Sequence, residues 1–219
     1  MLIAITFHEA AHGYVAHLLG DDTALRLGRV SFNPIKHIDP FGTILLPGLL
    51  LFVHAPFLFG YAKPVPVNFG ALRSRRLGMV LVAAAGPAIN IALAIAAGLA
   101  AHLIGYLPQT SAQWLKANLV NALVLDVALA VFNLFPLPPL DGGRILVGIL
   151  PPPLDRLVAG LEPLGMVILL GVLIVLPLLG AQLGVNLNIV SHWLAVATGT
   201  LFDAIVWLTG SDEALFASP

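Results

Sequence analysis

The chain has no cysteine and few charged residues, and both absences restrict what it can do. Without cysteine it can form neither disulfide bonds nor thiolate nucleophiles, and any bound metal ion must rely on His, Asp or Glu. Charged residues make up 10% of the 219 residues, and the formal net charge is −1. No long basic run occurs, so the sequence gives no indication of nucleic-acid binding.

Apolar residues dominate instead, at 59% of the chain with a mean hydropathy of +0.98. This composition predicts an all-α integral membrane protein. About five stretches are apolar enough to be predicted as transmembrane helices, at 1–19, 78–106, 117–135, 164–179 and 187–208. The first lacks the basic start of a signal peptide, so we expect it to be retained. Neither an internal repeat nor a separate soluble domain is evident, which predicts a single membrane-embedded domain over residues 1–219.

The region between the first two predicted helices is irregular. Residues 42–60 are apolar but contain Pro47, Gly48 and Pro56. They could cross the membrane. We favour a re-entrant or β-hairpin element, because irregular backbone at membrane depth must be covered by protein. Alternation of apolar and polar residues predicts a short strand over 24–30, and the prolines of 61–68 predict an extended segment.

The distribution of basic residues favours a non-crossing element. The chain has ten Lys and Arg residues, and if 42–60 does not cross, Lys116 alone lies on one side of the membrane. The positive-inside rule then predicts a non-cytoplasmic N-terminus and a cytoplasmic 21–76 loop. We expect the membrane to be a prokaryotic plasma membrane.

Chemistry is indicated first by His8-Glu9-Ala10-Ala11-His12, an H-E-x-x-H string in the first apolar helix. Residues four apart share one face of a helix, so the two imidazoles could bind one Zn²⁺ with Glu9 beside them to act on water. Placing an ionisable side chain in an apolar membrane helix costs free energy, so such a residue is a functional candidate. The alternative is a helix with two histidines and no metal.

A catalytic zinc site usually has three protein ligands. Asp141 is the strongest third candidate, because the proline-rich run 136–139 breaks the helix before it, while Gly142 and Gly143 allow a close backbone approach. Its alternative role is to cap the helix of 144–150. The other candidates at membrane depth are His54, His102, Asp126, Glu162, His192 and Asp203.

Five motifs together resemble, in order, those of the site-2 protease family of intramembrane zinc metalloproteases. They are His8-Glu9-Ala10-Ala11-His12, Asn-Pro-Ile-Lys-His-Ile-Asp-Pro-Phe-Gly-Thr at 33–43, Lys-Pro-Val-Pro-Val-Asn at 63–68, Gly-Pro-Ala-Ile-Asn at 86–90 and Asn-Leu-Phe-Pro-Leu-Pro-Pro-Leu-Asp-Gly at 133–142. The resemblance implies one zinc on His8, His12 and Asp141, with Glu9 as the catalytic base. It also implies a catalytic core of three helices over about 1–150. The apolar runs predict additional transmembrane helices over about 164–208. Many relatives carry a PDZ or CBS domain, and we expect this compact form to select substrates without one.

The resemblance also suggests two asparagines for contact with the substrate or the oxyanion. Asn133 matches the family asparagine before the Leu-Asp-Gly motif and could hydrogen-bond the substrate backbone. A hydrogen bond between helices is the alternative for Asn133, and a packing role is the alternative for Asn90. The 42–68 region is the candidate for pairing with an extended substrate, or it simply covers the site.

The sequence thus predicts a zinc-dependent intramembrane metalloendopeptidase that cleaves in or near transmembrane segments of membrane proteins, as in regulated intramembrane proteolysis. Its expected partners are a transmembrane protein substrate and the lipid bilayer. The alternatives are a membrane metal-ion transporter and a non-enzymatic membrane partner. A transporter would need neither a glutamate between the histidines nor a helix broken at Asp141.

Overall fold

Helices form all the regular secondary structure in residues 1–52 and 62–216, which are the residues that the computed structural model describes. No strand occurs among them. The α-helices are α1 Leu2–Leu18, α2 Thr23–Arg26, α3 Leu46–Phe52, α4 Arg75–Ala100, α5 Gln109–Asn133, α6 Asp141–Ile149, α7 Leu154–Ala159, α8 Gly165–Leu170, α9 Leu176–Leu183, α10 Ile189–Thr209 and α11 Asp212–Phe216. Short 3₁₀ segments lie at Pro34–His37, Ala101–Tyr106 and Glu162–Leu164, and π-helical segments lie at Pro40–Leu45 and Gly171–Val175.

Four helical stretches are long and apolar enough to cross a membrane: Arg75–Tyr106, Gln109–Asn133, Leu154–Leu183 and Ile189–Thr209. They correspond to the last four predicted spans, and they make this an all-helical membrane protein. Helix α1 has 17 residues, about 26 Å at 1.5 Å per residue, which is short of the roughly 30 Å hydrocarbon core. A fifth span at residues 1–19 therefore stays a prediction.

Two predictions of β-structure are wrong within the described residues. The strand predicted over 24–30 is replaced by α2, because the amides of Arg26 and Leu27 bond back to Asp22 and Thr23 within one helical turn. Local bonds of this kind compete with an extended strand. A hairpin is likewise excluded over Pro40–Phe52, which is helical. Residues 53–60 of the predicted element lie outside the described part.

The chain divides into two compact units, Met1–Gly86 and Pro87–Pro219. In the first unit, α1 packs against α2 and the 3₁₀ turn Pro34–His37. A small apolar core of Ala16, Leu72 and Val82 fixes α1 against the start of α4. The residue after α1 adds a backbone bond, because the carbonyl oxygen of Leu19 accepts from the amide of Arg73 at 2.9 Å.

The second unit is built around a larger apolar core. It is formed by small and branched residues of α4, the 3₁₀ segment after it, α5, α10 and α11, namely Ala94, Ala97, Ala101, Leu123, Val127, Val131, Ile205, Val206 and Leu215. The buried residues of α5 recur at three- and four-residue spacing, which is the period of one helix face. The boundary between the units falls inside α4, which continues through Pro87.

Candidate metal centre

His8 and His12 lie on the buried side of α1, at 7% and 9% exposure. Their ring centroids are 4.7 Å apart and the rings are nearly perpendicular. The predicted helix therefore does bring the two imidazoles together. The spacing of four residues accounts for this, because one helical turn separates them.

A hydrogen bond sets the tautomer of His12. Its Nδ1 lies 2.7 Å from the carbonyl oxygen of Val82 on α4. A carbonyl oxygen can only accept, so Nδ1 carries a proton, and in the neutral imidazole Nε2 is then the nitrogen that can bind a metal. Histidine ligands of zinc are commonly oriented by this kind of bond from the other ring nitrogen.

Gly86 leaves room for both imidazoles. A Cβ on this residue would lie 2.5 Å from His12 Nε2 and 2.6 Å from His8 Nε2. No side chain fits at such distances, and the two Nε2 atoms evidently face the same small region beside α4. Two convergent imidazole nitrogens, one with its tautomer fixed, are two of the three protein ligands that a catalytic zinc site usually has. The residues of the first unit thus fit the metal that the H-E-x-x-H string predicts.

Glu9 is half-buried on α1, and its carboxylate has a defined partner. Its Oε2 accepts a hydrogen bond of 2.7 Å from the backbone N–H of Val65. Val65 lies between Pro64 and Pro66 in the segment predicted to be extended, which is neither helix nor strand. The amide of Val65 is therefore the only one between Lys63 and Val67.

The segment 62–68, here called the Glu9 strap, is attached to the rest of its unit on both sides of Val65. The Lys63 amide donates to the carbonyl oxygen of His37 at 2.9 Å. Arg29 donates from Nη2 to the carbonyl oxygen of Lys63 at 2.7 Å and from Nη1 to that of Lys36. His37 is itself buried, with Nε2 2.8 Å from the carbonyl oxygen of Ser31. Lys63 is thus held by the loop that precedes α3.

Asp21 holds the other end of the Glu9 strap. Its buried carboxylate accepts from the Asn68 amide at 2.6 Å through Oδ2, and from the amide and hydroxyl of Thr23 through Oδ1. Burial raises the pKa of Asp21, but the hydrogen bonds from Thr23 and Asn68 and the nearby charge of Arg26 outweigh it, so the pKa is lowered overall. Asp21 is therefore a carboxylate that ties the end of α1 to the strap.

In the second unit, Asp141 is the first residue of α6 and is 6% exposed. The helix N-cap is Leu140, so Asp141 is not the N-cap residue that the alternative role requires. The proline-rich turn folds back on the first turn of α6. A Cβ on Gly142 would collide with the Leu134 carbonyl oxygen, and one on Gly143 would collide with the Pro138 nitrogen. The structure shows the close approach that the two glycines predicted, and this packing fixes where α6 begins.

The two predicted substrate-contacting asparagines are placed differently from each other. Asn133, the last residue of α5, donates from Nδ2 to the Leu129 carbonyl oxygen of its own helix at 3.0 Å. This Nδ2 therefore forms a bond within α5, and not the bond between helices that was the alternative role. Asn90 has no exposed surface, so direct contact with a substrate would require the surrounding side chains to move.

The remaining histidines have other surroundings or lie outside the described residues. His102 lies 2.8 Å through Nε2 from the Thr209 carbonyl oxygen, which holds the end of α10. His17, on α1 but away from the metal-facing side, pairs with Asp22 at 2.6 Å. His192 is exposed on α10, and His54 lies outside the described residues.

The remaining acidic candidates have surroundings of their own in the second unit. Glu162 pairs with Arg144 at 3.1 Å on the surface. Asp203 is exposed on α10. Asp126 is 5% exposed on α5, and its Oδ1 has no hydrogen-bond partner among residues 1–52 and 62–216.

Three contacts at the site were missed by sequence reasoning: those of Val82, Val65 and Asp21. The first two act through backbone atoms, which no side-chain motif encodes. The one available signal was the alternation of prolines around Val65, which leaves a single amide where a glutamate on α1 can reach it.

Sequence comparison finds relatives over most of the chain. The protein YwhC of Bacillus subtilis, provisionally named a zinc metalloprotease, is 42% identical over 191 residues, which is 81% of this chain and 79% of YwhC. Rip2 of Mycobacterium tuberculosis, with the same provisional description, is 32% identical over 206 residues, covering 91% of this chain and 76% of Rip2. No family model and no solved structure matches the chain.

Proposed function

Because the chain belongs to the site-2 protease family of zinc metalloproteases, we propose that it is an intramembrane endopeptidase that hydrolyses peptide bonds in or near transmembrane segments of other membrane proteins. The observation that carries this proposal is the convergence of the His8 and His12 Nε2 atoms beside Gly86. The residue placed between these two ligands, Glu9, is an acid with a defined backbone partner.

We assign the zinc to His8, His12 and Asp141. The first two offer buried imidazole nitrogens, and the third adds a buried carboxylate at the start of α6. When bound to such a set, Zn²⁺ polarises a carbonyl group and makes water more acidic. Two neutral ligands and one anionic ligand leave a net positive charge of one on the centre, which suits the stabilisation of an oxyanion.

Glu9 is the general base of this proposal. Its carboxylate takes a proton from the attacking water and passes it to the amide nitrogen of the leaving peptide as the C–N bond breaks. One oxygen, Oε2, is held by the Val65 N–H, so the other oxygen, Oε1, is the one assigned to the proton transfer. Asn133 and Asn90 are assigned to substrate or oxyanion contact, the first after release of its bond to Leu129 and the second after local rearrangement.

The membrane arrangement follows the same proposal. Helix α1 acts as a fifth membrane helix, with the histidine pair below the surface. The catalytic core covers about 1–150, and the later helices complete a single domain over 1–219. Pro40–Phe52 is apolar and helical but short, which suits a re-entrant element. The N-terminus is then outside, and the 21–76 loop is in the cytoplasm.

A metal-ion transporter is not favoured. Two thirds or more of this chain is aligned with relatives that bear protease names. Transport also gives no reason for a glutamate held beside the two histidines. A non-enzymatic role is likewise not favoured, because all the residues that a zinc hydrolase needs are present.

The test is proteolysis by purified full-length protein in detergent or liposomes, against a panel of single-span membrane proteins. We expect cleavage within or next to a transmembrane segment, abolished by a chelator and restored by zinc. Substrates that stay intact with a zinc-loaded enzyme, together with zinc flux into liposomes, would instead support the transporter.

A further inference from the structure

We infer that the backbone N–H of Val65 is a positioning group for Glu9, and that the Glu9 strap exists to hold this amide in place. The inference rests on the proposed function, since it takes Glu9 as the general base. The bond of 2.7 Å joins atoms 56 residues apart in sequence, so it depends on the folded first unit.

The strap is suited to this role because nearly all its amides are used or missing. Among residues 63–68, Pro64 and Pro66 have no N–H. The amides of Lys63, Val65 and Asn68 donate to His37, Glu9 and Asp21. Five of these six residues therefore have no N–H to offer to another strand. Addition of a substrate strand, which was predicted for this region, is therefore disfavoured over 63–68. The strap instead uses its N–H groups for hydrogen bonds within the protein.

The attachments on both sides of Val65 restrict where its amide can point. Lys63 is fixed by a carbonyl acceptor and by Arg29, and Asn68 is fixed by the buried carboxylate of Asp21. The Val65 side chain is also buried, and its Cγ1 would lie 3.1 Å from a Cβ on Gly13 of α1. A strap with anchors on both sides can hold an amide in one direction at little entropic cost, since the ordering is supplied by the fold.

The consequence for catalysis is a carboxylate with one oxygen fixed and one oxygen available. A glutamate side chain on an otherwise free helix surface samples several rotamers. A misplacement of about 1 Å can slow a reaction on the order of a hundred-fold. The Val65 amide thus lowers the number of unproductive positions of the Glu9 carboxylate without contacting the substrate. Arg29 supports this amide indirectly, because it holds the nearby Lys63 carbonyl oxygen.

Hydrogen exchange tests the bond without any need for activity. In the intact zinc-loaded protein, the Val65 amide should exchange slowly. Glu9→Gln should keep this protection, because its side-chain carbonyl oxygen still accepts, whereas Glu9→Ala should lose it. The Lys63 amide is the internal control and should stay protected in all three proteins. A Val65 amide that exchanges equally fast in parent and Glu9→Ala would overturn the inference. Loss of protection at Lys63 as well would make Glu9 an anchor for the strap, and it would also overturn a positioning role.

Kinetics test the consequence. Val65→Pro removes the N–H, while Val65→Ala removes most of the side chain and keeps the N–H. Val65→Pro should turn over on the order of ten-fold or more slowly than Val65→Ala, with the same KM and zinc content. If Val65→Pro fails to fold, Arg29→Gln is the second variant, with a lower kcat and faster exchange at Val65 expected. A kcat of Val65→Pro within a few-fold of that of Val65→Ala would contradict the inference. A kcat of Arg29→Gln within a few-fold of that of the parent would also contradict it. If the parent cleaves no substrate, the proposed function fails, and the exchange result still shows whether the bond exists.

Discussion

His12 on α1 donates from Nδ1 to the carbonyl oxygen of Val82 on α4 across 2.7 Å. In an α-helix this carbonyl points toward the residue four positions later, which here is Gly86. A side chain at 86 would collide with both imidazoles. The glycine therefore leaves His12 the space to reach this acceptor.

Gly86→Ala should disrupt metal binding. The added Cβ would lie 2.5 Å from His12 Nε2, a distance at which the ring must move. We expect zinc content below one per chain and a large loss of any protease activity. The matched control is Gly199→Ala, because a Cβ there meets nothing within 4 Å and α10 should gain slightly in helix propensity. Metal analysis after dialysis measures both variants, and full zinc in Gly86→Ala would show that the glycine is not required.

Asp141→Asn should lower zinc occupancy while the fold is kept. The amide has the size of the carboxylate but lacks its charge, which weakens the third proposed bond to the metal. Asp203→Asn, a change of the same kind at an exposed position of α10, is the control and should leave zinc unchanged. Unaltered zinc content in Asp141→Asn would remove this residue from the ligand set.

Glu9→Gln should separate metal binding from catalysis. Gln keeps the size of Glu and can still accept from the Val65 N–H, but it cannot take a proton from water. Zinc should remain, and turnover should fall on the order of a hundred-fold or more. Substrate binding should persist, so the variant is expected to trap an uncut transmembrane protein. Cleavage at a rate within a few-fold of the parent would exclude Glu9 as the base.

Stability should respond to pH through Asp21. Its pKa is lowered from the usual 3.8 in the folded protein. The stabilisation that the ionised Asp21 carboxylate gives the folded protein is therefore fully present at pH values above about 4. It is lost as the pH falls through the lowered pKa of the folded state. Asp21→Asn should lower the thermal unfolding temperature at pH 7, and the difference from the parent should shrink toward pH 3. A difference that does not depend on pH would show that ionisation of Asp21 is not involved.

The membrane orientation follows from the basic residues. Nine of the ten Lys and Arg residues are expected in the cytoplasm, with Lys116 outside. Because the native chain has no cysteine, single cysteines at positions 26, 73 and 116 can be labelled in intact cells with an impermeant reagent. We expect labelling at 116 alone, and labelling at 26 or 73 would reverse the topology.

The sequence by itself determined the class of protein and the side chains that carry its chemistry. Apolar runs predict membrane helices because the bilayer requires length and hydropathy, which are properties of a contiguous stretch. The last four predicted spans agree with the four helical stretches of the structure. The pairing of His8 with His12 was predictable for a similar reason, since a single helical turn relates them.

Only the tertiary structure decided how these side chains are oriented. The strand predicted at 24–30 failed because alternation cannot detect a helical turn closed by nearby backbone groups. The partners of His12 and Glu9 are the backbone atoms of Val82 and Val65, which lie 70 and 56 residues away in sequence. Backbone N–H and C=O groups are the same in every residue except proline, which lacks the N–H. Folding selects among them by bringing distant segments together, so these partners became visible only in the folded chain.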